Sequence, residues 1–150
     1  MAAPPLWDWA RAAYARPGAA EACLRLQDVH GQNVCLLLWA AWAGAVEPAR
    51  LSRAVEIARA WEAAVVAPLR QIRRDLKAET PGVGTAAREG LREQVRETEL
   101  VAERVLLEAL EALGPPAEPI APLTALAAAS AAWGPPAPQP ALAALAAALD

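Results

Sequence analysis

Phenylalanine is absent from this sequence, and tyrosine, methionine and histidine occur once each. Cysteine occurs twice, as Cys23 and Cys35, which is too few for a disulfide framework. One histidine rules out the paired-histidine metal motifs, and no CxxC spacing replaces them. No stretch alternates between apolar and polar residues as a half-buried strand does. The longest apolar run, Val34 to Val46, falls short of the ~20 residues that cross a bilayer. The start, MAAPPLWDWARAAYARPG, lacks the charged and then apolar regions of a signal peptide. Net charge is -3, so no general positive field attracts nucleic acid or anionic lipid. Neither a GxxxxGK[ST] loop nor a GxGxxG turn after a strand is present. These absences leave a cytoplasmic chain with reduced thiols, no membrane span, no nucleic-acid partner and no cofactor or metal signature.

What is there is alanine, leucine, tryptophan and proline. Hydrophobic residues make up 56% of 150, enough for one sizeable core. Alanine is the strongest helix former, so the fold class is all-α. The pattern predicts a compact bundle of about five main helices over residues 1–113. A Pro/Ala-rich extension over 114–150 carries two short helices.

The first helix is expected from Pro5 to Arg16 and ends at Pro17-Gly18. The second runs from Gly18 to His30, with Gly31 as its C-terminal cap. Asn33 caps a third, NVCLLLWAAWAG, which has no polar face and should be central. Pro48 opens a fourth, to Lys77, with Pro68 expected to kink or split it. Thr85 is expected to cap the fifth, which runs to Leu113. Its stripe is Leu91, Val95, Thr98, Ala102, Val105, Leu106, Ala109 and Leu113. Leu100 and Leu107 lie on its other side. The short segments Leu123–Trp133 and Pro140–Leu149 are expected to dock on the body, with Leu100 and Leu107 as a candidate place, and a mobile tail is the alternative.

No catalytic constellation stands out. A Cys–His pair would need a stabilised thiolate, yet Cys23 and Cys35 both face apolar surroundings. A metal set of Cys23, Asp28, His30 and Cys35 has the wrong spacing for zinc. Two polar groupings remain as ligand candidates. Gln27, Asp28 and His30 close the second helix; their simplest role is to satisfy the backbone of a tight turn. With Asp8 they would form a small pocket. Arg70, Arg73, Arg74 and Lys77 fall within two helical turns and suit an anion. The simpler reading there is a solvated face, with Asp75 and Glu79 nearby. Trp7, Arg11 and Tyr14 recur at i, i+4, i+7 and form an aromatic–cation candidate interface, as do Leu100 and Leu107.

The ordered segments PLWDW, YARPG, CLRLQDVHG, NVCLLLW and VVAPLRQIRRDLK resemble a family of small, conserved, uncharacterised proteobacterial helical proteins. The resemblance covers residues 5 to 113, and LQDVHG followed by NVCLLLW is its most specific part. It implies a compact helical domain in a Gram-negative cytoplasm and brings no reaction or catalytic residue. Cys35 stands where relatives often carry a small polar residue. The functional expectation is a non-enzymatic module that binds a protein partner or itself. A small-ligand or anion-binding protein, or an enzyme, at either polar grouping is the alternative.

Overall fold

The computed structural model describes residues 3–150. Among them the chain is all-helical. Its order is α1 (Leu6–Tyr14), α2 (Ala19–Asp28), α3 (Val34–Ala43), α4 (Pro48–Trp61), a π-helical turn (Glu62–Val66), α5 (Ala67–Asp75), α6 (Thr85–Glu111), α7 (Pro122–Trp133) and α8 (Gln139–Leu149). Helical backbone angles persist from α4 through the π turn into α5. These three form one rod, so the described residues make seven rods.

α3 is the hub. The Asn33 side chain accepts the Leu36 N–H at 2.9 Å and so fixes the start of the helix. Eight of its ten residues are buried. A helix apolar on every side must be enclosed, and α1, α2, α4, α6 and α7 all pack against it. Its end is equally determined. Gly44 has φ +75, and a Cβ there would meet the Glu118 carbonyl at 2.6 Å. That close approach lets Ala45 N–H donate to Glu118 O at 3.0 Å and Ala117 N–H to Ala43 O at 2.7 Å. The proline-rich linker is therefore strapped across the end of α3.

Pro68 interrupts its α-helix without ending the helical rod. An α-helical turn would aim the missing N–H, and the ring, at the carbonyl of Ala64. Instead the preceding turn widens, and Ala67 N–H donates to Glu62 O, five residues back. The expected split of the α-helix near Pro68 takes the form of a π turn between α4 and α5.

Further corrections concern α5 and α6. Thr85 is the first residue of α6 and makes no capping bond; Gly84 holds the cap position. Leu91 and Val105, expected in a covered stripe, are 49% and 42% exposed. The reason is topological. Beyond the π turn α5 packs chiefly on α6, so α5 and the first half of α6 stand out as a two-helix arm that leaves Leu91 open, while Val105 edges the groove beside α4.

The two C-terminal helices dock, though elsewhere than expected. α7 packs on α3 and α4, and α8 on α2 and α7, rather than over Leu100 and Leu107. Leu126, Ala129 and Leu145 are fully buried there. Helices of 12 and 11 residues are marginal alone. Each fully buried leucine contributes roughly 1.5–3 kcal/mol relative to exposure, which offsets that weakness.

Candidate functional site

The corner after α2 is a structural joint. Gly31 has φ +63 and turns the chain, and Gln32 N–H donates to Leu26 O at 3.0 Å. Gln32 then points inward, 1% exposed. Its amide donates to Pro135 O at 3.0 Å and to His30 O at 3.3 Å. Its carbonyl accepts from Ser130 Oγ at 2.8 Å, and Ser130 Oγ in turn accepts Ala137 N–H at 2.8 Å. Trp133 Nε1 donates to Gly31 O at 2.9 Å. These bonds bolt the α2–α3 turn to the α7–α8 turn. Neither Gln32 nor Ser130 stood out in the sequence. Ser130 is the one hydroxyl in the alanine run between Leu126 and Trp133, which was the available signal.

The grouped candidates Asp8, Gln27, Asp28 and His30 do not converge. Asp8 is exposed on the first turn of α1, and no hydrogen bond or ion pair joins it to the others among the described residues. Asp28 pairs with Arg74 at 3.2 Å on the surface. His30 contributes its backbone carbonyl to the joint.

The basic cluster is also distributed. Arg73 Nε meets Glu99 Oε2 at 2.5 Å with both side chains largely buried. Arg74 takes Asp28, and Lys77 stays exposed. Arg70 turns toward a cleft that it shares with Gln27, Asn33, Cys35, Glu62 and Glu103. The partners therefore come from α2, the π turn and α6, not from Asp75 and Glu79.

Glu103 is the centre of this cleft. Burial raises its pKa; Arg70 opposes the shift and Glu99 adds to it. Glu62, on the π turn, is raised by burial against the pull of Arg70, Arg59 and Asn33. Burial, then the Glu103 charge, pushes the Cys23 thiol up to about 12 and Cys35 well above its usual value. Both thiols are protonated at neutral pH and are poor nucleophiles. Tyr14 is raised by burial, then by Cys23 and Glu103. The cavity itself is about 10 Å³, the room of a single water. It has room for one water beside Arg70, Glu62 and Glu103. Among the described residues no group of three or more His, Cys, Asp or Glu side chains is placed to hold a metal ion.

The larger concavity lies between α4 and α6. It measures about 760 Å³ and is lined by Ile57, Ala60, Trp61, Ala64, Val105 and Ala109, with Arg53 and Glu56 at its rim. Trp61 Nε1 donates to the Ala102 carbonyl at 2.8 Å, so the indole is fixed and presents an apolar face. Beside the groove α6 exposes Val101, at 62%. The sequence did not flag this groove, because alanines on two distant helices carry no pattern of their own.

The interface candidates divide. Leu107 is 3% exposed and belongs to the core, whereas Leu100 is 51% exposed. Trp7 is half-buried, with the Arg104 guanidinium 5.0 Å from its ring centroid. Arg11 is exposed, and Tyr14 is 44% exposed. Arg104, one turn before Glu108, replaces Arg11 as the cation on the tryptophan.

Fold and site together define a compact all-helical protein from a family of unknown function. The chain belongs to the family described as protein of unknown function DUF2390, whose profile matches residues 5–110. The match ends at the last buried turn of α6, so α7 and α8 lie outside it. No curated protein and no solved structure matches the chain. No helix among the described residues is long and apolar enough to cross a membrane.

Proposed function

We propose that this protein is a non-enzymatic interaction module that receives an amphipathic helix in the groove between α4 and α6. One observation carries the reading. A cavity of about 760 Å³ is lined by Ala60, Ala64, Val105 and Ala109 with Trp61 and buried Leu106, next to exposed Val101. Small side chains on two adjacent helices leave a trough that apolar knobs at i, i+3, i+4 fill. Free, buried thiols fit a reducing bacterial cytoplasm. The ligand-binding alternative has less behind it: the arginines face carboxylates, and the cleft at Arg70 holds no more than a water.

A photo-crosslinking residue at exposed Ala64 tests the reading, with exposed Gln139 on α8 as the control site. The expected result is an adduct at position 64, mapped by mass spectrometry to a helical segment and abolished by Ala60→Arg. No adduct at 64, or equal yields at 64 and 139, would overturn the groove as the binding surface.

A further inference from the structure

We draw no further inference here: the strongest candidate, the apolar face of α6 that leaves Leu91, Val101 and Val105 exposed along the groove between α4 and α6, carries nothing beyond the reading above because nothing in the structure shows what covers it.

Discussion

Replacing Gln32 by alanine should loosen the C-terminal helices while leaving the central helix in place. The side chain makes three hydrogen bonds: to Pro135 O, to His30 O and from Ser130 Oγ. Each is worth about 0.5–1.5 kcal/mol net, and a buried hydroxyl left without its acceptor costs a further ~1–3 kcal/mol. Ser130 is fully buried, so water does not replace the lost partner without opening the joint. The sum is about 2.5–7.5 kcal/mol, which for a chain of this size lowers Tm by roughly 5–30 °C. Urea unfolding followed by circular dichroism and tryptophan fluorescence measures the loss. Hydrogen exchange locates it: amides of α7 and α8 should exchange faster relative to those of α3. Ser130→Ala should be non-additive with Gln32→Ala, because the two side chains share a bond. A loss below ~1 kcal/mol with unchanged exchange in α7 and α8 would refute the joint as the element that holds the tail.

Two further outcomes follow from the cleft around Glu103. Both thiols should resist a disulfide exchange reagent at pH 8 in the native protein and react fully once it is unfolded, because burial and the Glu103 charge keep them protonated; rapid native labelling would contradict that assignment. Glu62 and Glu103 have folded-state values above the usual carboxylate range, so the native state holds protons that the unfolded chain releases. Their contribution to stability is largest at and below about pH 4.5, the ordinary glutamate value, and declines as pH rises through their elevated folded values. Glu103→Gln should flatten that decline in a series of urea titrations, and an unchanged pH slope would show that Glu103 does not carry it.

The candidate site shows how sequence and structure share the information. Lone basic residues in LRQIRRDLK read as a solvated or anion-binding face, because their partners are 26 to 46 positions away: Glu99 for Arg73 and Asp28 for Arg74. Glu99 and Glu103 carry no signal of their own in the sequence, because a spacing of four is equally that of an exposed helix face. Only the packing of α5 onto α6 shows that this face is turned inward. Pro68 announced a disturbance, but its form depended on whether the rod had neighbours to hold it together.

By itself the sequence determined the all-helical class, the places where helices stop and the centrality of α3. These follow from local causes: alanine propensity, Pro17-Gly18, the left-handed turns at Gly31 and Gly44, the Asn33 cap and an apolar surface with no polar side to expose. The tertiary structure decided the rest. It sent α7 and α8 to α2, α3 and α4, joined Gln32 to Ser130 across 98 residues, and left Leu91, Val101 and Val105 of α6 exposed along the side of the groove between α4 and α6. A helix with two apolar seams states that it needs neighbours on both sides. Which seam the chain covers depends on the lengths and exit directions of distant connections, and no local pattern records them.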